Sequence, residues 1–260
     1  MDGSTAAVIL CAGMGSRIGL PEGENKCAVS IAGTSPIRHT AASLLRRGVS
    51  QIFVVVGYAA ESVRAALADD MQSERIHFVV NPNYNWHGCN YSLACGVTNT
   101  LLRHKRIVIA EGDSLLGEYA IEQLLHMNVP AASLLRDRSY IDYSRSVIAV
   151  GDEQGISAYQ YDSTHTGIQP SWLGEQEILG ESMQLWSFSG QALEQLKNFL
   201  NVYKTEAESG KSPFSHSGVH TINALGIPIQ PVFAKYPEEW INLNTQEDLR
   251  RAERAKWLTK

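Results

Sequence analysis

The sequence predicts an α/β fold: an open, mostly parallel (Rossmann-like) sheet with helices on both faces and an inserted antiparallel lobe. Two observations carry this prediction. In the first half, short runs rich in β-branched residues alternate with segments of helical periodicity, an order that implies right-handed crossovers between parallel strands. After Asp113 the rhythm changes to short apolar runs separated by turn residues, among them Gly151, Asp152 and Gly155, which is typical of antiparallel hairpins.

The first half predicts seven elements. Periodicity and turn residues indicate strands at 6–12, 51–56, 75–80 and 106–110, and helices at 36–47, 59–68 and 90–103. Gly48 follows the first helix, where a glycine can adopt the left-handed conformation that ends a helix. Each strand is followed by a helix or a loop, so its carboxyl end is free to form a binding crevice.

The second half of the sequence predicts a mixture of helices, strands and two loops. We expect helices at 117–127, 191–202 and 246–257, strands at 130–136, 144–150, 155–161, 182–188 and 227–233, and loops at 163–180 and 206–217. The first of these loops is polar and could act as a lid. Since no linker rich in Pro, Gly or Ser divides the chain, residues 1–260 are predicted to form a single domain, with parts at 1–115, 116–240 and 241–260.

Composition excludes several classes of protein. The 260 residues are 44% hydrophobic and 19% charged, with a formal net charge of -5, which argues against a nucleic-acid-binding surface. No apolar run approaches the ~20 residues of a membrane span. The four cysteines form no CxxC pair, which favours free thiols and a cytoplasmic location. A homo-oligomer stays open, because nothing in the sequence reports on assembly.

The strongest motif is a glycine-rich loop after the first strand. The string from Leu10 to Arg17 reads L-C-A-G-M-G-S-R, and Lys26 follows after a spacer. Gly13 and Gly15 carry no side chain, so backbone N–H groups there could approach phosphate oxygens closely. Arg17 could grip phosphate as a fork and Lys26 as a point charge. This pattern indicates a nucleotide-phosphate site.

Other interpretations of this loop are a plain structural turn and a dinucleotide-binding motif. The dinucleotide fingerprint needs a third glycine where Ile18 stands, and a helix that Pro21 interrupts. It also needs an acidic residue after the second strand, where the chain has Gly57. A Walker loop is absent, because the chain contains no G-x-x-x-x-G-K-[ST] string. A dinucleotide-dependent oxidoreductase is therefore disfavoured, and the structural turn stays open.

The pattern resembles the nucleoside-triphosphate transferase family, in which a strand leads into L-x-A-G-x-G-x-R and then a lysine. The match runs from Leu10 to Lys26 and continues through Ala32, Gly33 and Pro36. The resemblance implies an NTP substrate and Mg²⁺, with Arg17 and Lys26 as catalytic residues. It also implies these nucleotide-binding residues: Leu10, Ala12, Gly13, Gly15, Ser16, Arg17, Lys26, Asn81, Gly88, Asn90 and Ser92. Among these, Asn81 occupies the family position that reads the base edge.

A metal site is implied at the end of the strand 106–110. Asp113 stands where parallel strands meet the ligand crevice, and we expect it to bind magnesium. By resemblance the second metal position falls on Asn242, where the family has Asp. An amide oxygen can coordinate a hard cation but brings no charge. Three outcomes stay open: weaker metal binding, help from Glu111 or Glu181, or a nucleotide-binding module without activity.

The acceptor side is implied by a strand that resembles the family's acceptor-lining strand. Glu181 and Trp186 lie on it, and Tyr140 and Tyr143 are further acceptor-binding candidates. An aromatic box could hold a quaternary ammonium group, although core and lid packing explain these residues equally well. The other members of the proposed box are Tyr159, Tyr161 and Trp172. Basic candidates for the acceptor's phosphate or phosphonate are Arg136, Arg138 and Arg145.

The sequence therefore predicts a nucleotidyltransferase that transfers NMP to a small phosphorylated or phosphonylated acceptor and releases pyrophosphate. The order N-P, aromatic, N-x-S-L between Asn81 and Leu93 is similar to cytidylyltransferases, which favours CMP from CTP. Phosphocholine and 2-aminoethylphosphonate are the favoured acceptors. A sugar- or polyol-1-phosphate nucleotidylyltransferase stays open. In this interpretation residues 1–115 form the nucleotide-binding core, 116–240 the acceptor-side lobe and lid, and 241–260 the C-terminal helix.

Overall fold

The computed structural model describes residues 5–69, 74–85, 88–162, 166–168, 176–210 and 226–259. Trp172 and most of the expected lid at 163–180 lie outside these residues, as does the greater part of the expected loop at 206–217. None of the described helices is both long and apolar enough to cross a membrane. The cytoplasmic location stays a prediction.

The chain contains eleven strands and six α-helices in the described residues. The strands are β1 (Thr5–Cys11), β2 (Gln51–Val56), β3 (Ile76–Val80), β4 (Arg106–Glu111), β5 (Ser114–Leu116), β6 (Ala131–Arg136), β7 (Ile148–Asp152), β8 (Gly155–Gln160), β9 (Glu177–Ser189), β10 (Gln230–Phe233) and β11 (Trp240–Asn242). The helices are α1 (Pro36–Arg46), α2 (Ala60–Ala66), α3 (Gly88–Val97), α4 (Glu118–His126), α5 (Gly190–Glu208) and α6 (Gln246–Glu253).

One sheet of nine strands forms the centre of the fold, in the order β10-β6-β9-β4-β1-β2-β3, with β7 paired to β9 and β8 to β7. Strands β1 to β4 pair in parallel, whereas β9 is antiparallel to β4, β6 and β7. The predicted fold class is confirmed. The antiparallel strands continue the same sheet, because the 13 residues of β9 are long enough to reach three partners.

The core lies on both faces of this sheet. All seven residues of β1 are buried, as expected for a central parallel strand. Alternate residues of each strand belong to different clusters: Val8 packs with Trp186 on one face, and Ile9 packs with Leu185 on the other. Burial of this kind fixes β1 rigidly, so the loop that follows it starts from a defined point.

A short two-stranded ribbon, which the sequence did not predict, lies beside the sheet. Strand β11 pairs antiparallel with β5 and places Asn242 opposite Ser114. One residue further, the Leu243 N–H donates to the Asp113 carbonyl at 2.9 Å. The ribbon brings the carboxyl-terminal segment against the end of β4.

Element boundaries differ from the prediction where side chains bond to the backbone. The strand expected at 144–150 begins only at Ile148, because the Asp142 carboxylate accepts the Ser144 N–H in a turn. Helix α3 ends at Val97 rather than 103, and Asn99 accepts the Leu101 N–H just beyond it. The closing helix ends at Glu253 and continues as a 3-10 helix, Lys256–Thr259.

Candidate functional site

The glycine loop after β1 is held in place by one buried side chain. Asn25 donates through Nδ2 to the carbonyls of Cys11 and Tyr58, both at 2.9 Å, and accepts the Cys27 N–H at 3.0 Å. These bonds tie both ends of the loop to β1 and to the segment after β2. Asn25 directly precedes Lys26 in the sequence, and the glycine-loop motif assigns it no role. The loop geometry therefore depends on a residue that the motif alone does not explain.

The position of Gly15 needs a residue without a side chain. Its φ of 59° lies in the left-handed region, and a Cβ there would come within 3.2 Å of Lys26 Cδ. The lysine side chain consequently passes directly beneath the loop. A pocket of about 150 Å³ opens at this point, lined by Gly15, Ser16, Arg17, Lys26 and Asn244.

Two predicted cations meet at one oxygen. Arg17 Nη2 donates to Asn244 Oδ1 at 3.0 Å, and Lys26 Nζ donates to the same atom at 3.2 Å. Lys26 also forms an ion pair with the Asp113 carboxylate. Asn244 was missed from the sequence, although it lies two residues after Asn242 in a short extended segment. The arrangement gathers two positive charges around a neutral oxygen, beside a carboxylate.

Of the predicted metal ligands, Asn242 is the last residue of β11, and Asp113 directly precedes the paired strand β5. Asp113 Oδ1 and Asn242 Oδ1 are buried and accept no hydrogen bond from the described residues. Oxygen atoms of this kind suit Mg²⁺, which keeps several waters and takes one or two protein oxygens. Among the residues placed in the structure, no group of three or more His, Cys, Asp or Glu side chains could hold a metal. The two oxygens fit a magnesium ion that is shared with a phosphate ligand.

Burial and neighbouring charges together shift the pKa values of the ionisable side chains around Asp113. Burial disfavours the charged Lys26 ammonium, but the adjacent Asp113 carboxylate outweighs it and raises the pKa of Lys26. Burial, with help from the Asp113 charge, raises the pKa of Glu111 to about 8. The Glu111 charge, together with burial, raises the pKa of Cys89 to about 12, so this thiol stays protonated at neutral pH. Lys26 therefore provides a permanent positive charge next to the candidate metal ligands.

A larger cavity of about 530 Å³ opens between these residues and β9. Arg17, Lys26 and Asp113 line one side of it, and Glu181 and Trp186 line the other. The structure thus brings the predicted phosphate-binding, metal-binding and acceptor-binding residues around one space. A volume of this size is typical of a small-molecule site.

On the acceptor side, Glu181 is already engaged. It is buried, accepts the Ser146 hydroxyl at 2.6 Å and forms an ion pair with Arg136. The Arg136 guanidinium lies between two rings, 5.0 Å from the Tyr140 centroid and 4.5 Å from that of Trp240. Tyr140 therefore packs on a wall of the cavity without lining it. The Arg136–Glu181 ion pair is therefore held against two aromatic rings.

The expected aromatic box is only partly assembled. Trp186 is buried, donates from Nε1 to the Tyr159 hydroxyl at 3.0 Å, and lines the cavity, as does Tyr161. Tyr143 is exposed and lies outside the cavity lining. Trp172 lies outside the described residues, so its membership of the box stays a prediction. Contact of Tyr140 and Tyr143 with an acceptor stays a prediction.

Most of the remaining nucleotide-binding candidates are buried behind the cavity. Asn81 is fully buried, donates to Ser92 Oγ at 2.9 Å and accepts the Asn83 N–H at 2.9 Å. Asn90 is likewise buried near the start of α3, which begins at Gly88. Leu10 and Ala12 are buried, and their carbonyls accept the Gly112 and Tyr58 N–H groups. Base reading by Asn81 stays a prediction, since its hydrogen bonds brace the start of α3.

Part of the sequence and the overall fold are similar to those of known proteins. A 78-residue segment, 30% of this chain, is 38% identical to CMP-5'-(3-aminopropyl)phosphonate synthase of Streptomyces rubellomurinus, and it spans 12% of that protein. The fold is similar to a candidate glucose-1-phosphate thymidylyltransferase from Bacillus anthracis solved with sucrose (TM-score 0.69, 15% identity, 96% and 94% of the two chains). It is also similar to a nucleotidyl transferase from Methanothermobacter thermautotrophicus (TM-score 0.63, 18% identity, 99% of each chain). Residues 7–154 match the model of the MobA-like NTP transferase domain, and the chain therefore belongs to that nucleotidyltransferase family.

Proposed function

We propose that this nucleotidyltransferase transfers CMP from CTP to a small phosphonate or phosphate acceptor, with magnesium, and releases pyrophosphate. The single observation that carries the proposal is the convergence of Arg17, Lys26 and Asp113 on one cavity. Cations for a triphosphate, a carboxylate for a metal and space for a second substrate are the requirements of this reaction.

In the proposed reaction an oxygen of the acceptor's phosphonate or phosphate attacks the α-phosphorus of CTP. A new P–O bond forms while the bond from the α-phosphorus to the bridging oxygen breaks, and pyrophosphate leaves. The attacking oxygen is already anionic at neutral pH, so no general base is needed. Arg17 and Lys26 neutralise the charge that grows on the leaving pyrophosphate. The protein's contribution is positioning and charge stabilisation.

Magnesium would be held by Asp113 and Asn242, whose free oxygens lie at the same end of the cavity. When bound, the ion supplies positive charge to phosphate oxygens. Since Asn242 brings no charge, we expect weaker magnesium binding than a pair of carboxylates would give.

The choice of CTP and of a phosphonate rests on two supports. One is the sequence pattern between Asn81 and Leu93, similar to cytidylyltransferases. The other is the 78-residue likeness to a protein described as a CMP-aminopropylphosphonate synthase. The cavity has Arg136, Arg145 and Arg251 in its lining, which suits an anionic acceptor.

The test is pyrophosphate release by the purified chain with CTP, UTP, ATP, GTP or dTTP, magnesium, and one acceptor at a time. The acceptors are 3-aminopropylphosphonate, 2-aminoethylphosphonate, phosphocholine, a hexose 1-phosphate and a polyol phosphate. We expect activity with CTP and an aminoalkylphosphonate. Activity with a sugar phosphate alone would establish the alternative acceptor, and NTP binding without turnover would establish a non-catalytic nucleotide-binding module.

A further inference from the structure

Gln184 has a backbone conformation that its side chain does not favour. Its φ is 60°, in the left-handed region, although it lies within strand β9. The pairing of β9 with β6 changes register between Ser133 and Leu135, at the level of Gln184. An irregularity of this kind re-aims one side chain of a strand. Strained residues that the surrounding structure maintains concentrate at functional sites.

Gln184 lies on the cavity side of β9. Its neighbours Met183 and Leu185 are both fully buried in the core on one face of the sheet, whereas Gln184 is half-buried and lines the cavity. The antiparallel register pairs Ala110 with Leu185, so Gln184 lies one residue beyond, at the end of β4 where Glu111 stands. A polar side chain is therefore placed at the carboxyl end of the central strands.

One end of the Gln184 carboxamide is fixed by a chain of hydrogen bonds. The Trp240 indole, which can only donate, points at Ser114 Oγ at 3.4 Å, and Ser114 Oγ donates to Gln184 Oε1 at 3.0 Å. The Ser114 hydroxyl thus accepts from Trp240 and donates to the Gln184 carbonyl oxygen. Gln184 Nε2 donates no hydrogen bond to any other described residue. Its two N–H groups are available to a ligand in the cavity.

The same chain places the carboxamide near the reacting groups. Ser114 is adjacent to Asp113 and lies opposite Asn242 in the ribbon. The smaller pocket beneath the glycine loop contains no residue of β9. Gln184 therefore lies in the larger cavity and outside the smaller pocket lined by the candidate triphosphate-binding residues.

We propose that Gln184 is an acceptor-binding residue whose amide N–H groups donate to the phosphonate or phosphate oxygens of the acceptor. This inference rests on the proposed function. A neutral donor suits the task because it orients an anionic nucleophile without neutralising the charge it needs for attack. Ser114 acts through Gln184 and is a positioning residue.

The test compares Gln184→Glu, which exchanges the donor for a carboxylate of the same shape, with Gln184→Gly. We expect both variants to raise the KM for 2-aminoethylphosphonate by about tenfold or more, and to leave the KM for CTP within about twofold. Gln191→Glu, the same exchange at an exposed residue of α5, is the matched control and should change neither. Equal rises in both KM values, or an unchanged acceptor KM, would overturn the proposal.

Stability provides a second, independent readout. Glycine tolerates the φ of 60°, so Gln184→Gly should melt about 2–4 °C above Gln184→Ala while binding the acceptor equally poorly. A lower melting temperature for Gln184→Gly would remove the argument from backbone strain.

The positioning role of Ser114 has its own test. Ser114→Ala should raise the acceptor KM less than Gln184→Glu does, because the variant releases the Gln184 amide from its hydrogen bond but keeps the amide. An equal or larger rise would contradict the positioning role of Ser114.

Failure of this proposal can be told from failure of the proposed function. Calorimetric titration of 2-aminoethylphosphonate into the chain with CTP and magnesium measures acceptor binding without turnover. Binding to the wild type that Gln184→Glu abolishes supports the role of Gln184 even if no pyrophosphate appears. Undiminished binding to Gln184→Glu, or no binding to the wild type, overturns it.

Discussion

The Lys26 ammonium pairs with the Asp113 carboxylate, and this ion pair joins the glycine loop to the strand end that carries the candidate metal ligand. Both side chains are mostly buried, with 15% and 13% of their surface exposed. Without ligand, the lysine compensates a charge that magnesium would compensate in a nucleotide complex. Lys26 and Asp113 are therefore each other's partner in the free protein; in the proposed complex Lys26 would bind phosphate and Asp113 magnesium.

Lys26→Ala should lower turnover by about tenfold or more, since charged contacts to a leaving group contribute ~2–4 kcal/mol. The metal-free variant should also melt about 2–4 °C lower, because Asp113 loses its cation. Magnesium should restore much of this loss. Turnover under saturating CTP and magnesium, with thermal melts beside it, checks both effects. Lys105→Ala, exposed before the amino end of β4, is the control and should behave like the wild type.

Asn242→Asp should have opposite effects on stability and on metal affinity. A second carboxylate would line the same cavity as Asp113. Like charges a few ångströms apart repel by about 1–4 kcal/mol, so the metal-free protein should melt lower. The same carboxylate should lower the magnesium concentration needed for half-maximal activity by about tenfold. A magnesium titration of pyrophosphate release measures this shift. An unchanged magnesium requirement would show that Asn242 does not bind the ion.

Gly112→Ala should destabilise the fold. A Cβ at this residue would lie 2.3 Å from Cys11 Sγ and 2.7 Å from the Leu10 carbonyl oxygen, where β4 passes close to β1. Overpacking of this kind costs about 1–3 kcal/mol. Gly13→Ala is the matched control, because its Cβ would meet nothing within 4 Å. Urea unfolding of both variants separates the two cases: only Gly112→Ala should shift the midpoint.

The sequence predicted the structural features that neighbouring residues encode, and it missed those that depend on contacts between distant residues. The strand 51–56 and the start of the helix at Pro36 were predicted correctly, because periodicity and capping are encoded by neighbouring residues. Asp113 and Asn242 line the same cavity, and their role as metal ligands stays a prediction. The β5–β11 ribbon was missed because three-residue strands carry too little periodicity to be recognised.

Gln184 and Asn244 could not be singled out for a different reason. The left-handed conformation of Gln184 arises from a register change between β9 and β6, which is a property of two strands far apart in sequence. Asn244 gains its role only because Arg17 and Lys26 reach it from the other end of the chain. A single-residue signal for either does not exist in the sequence, since both depend on long-range pairing.

The half-buried His39 should make the fold less stable in mild acid. His39 contacts the Leu116 carbonyl oxygen through Nε2 at 2.8 Å, and burial lowers the pKa of this imidazole below its usual 6.5. Above pH 6.5 both the folded and the unfolded chain hold it neutral, so its contribution is complete. As the pH falls through 6.5, the unfolded chain binds the proton first and stability is lost until the folded pKa is passed.

His39→Gln removes this titration and keeps an amide donor for the Leu116 carbonyl. The difference in unfolding free energy between wild type and variant should therefore be constant above about pH 7.5 and shift against the wild type between about pH 7 and pH 5. Urea denaturation at intervals across this range measures the difference. Carboxylates that titrate at lower pH affect both proteins equally and cancel. A difference that does not change with pH would mean that His39 titrates alike in the folded and unfolded chain.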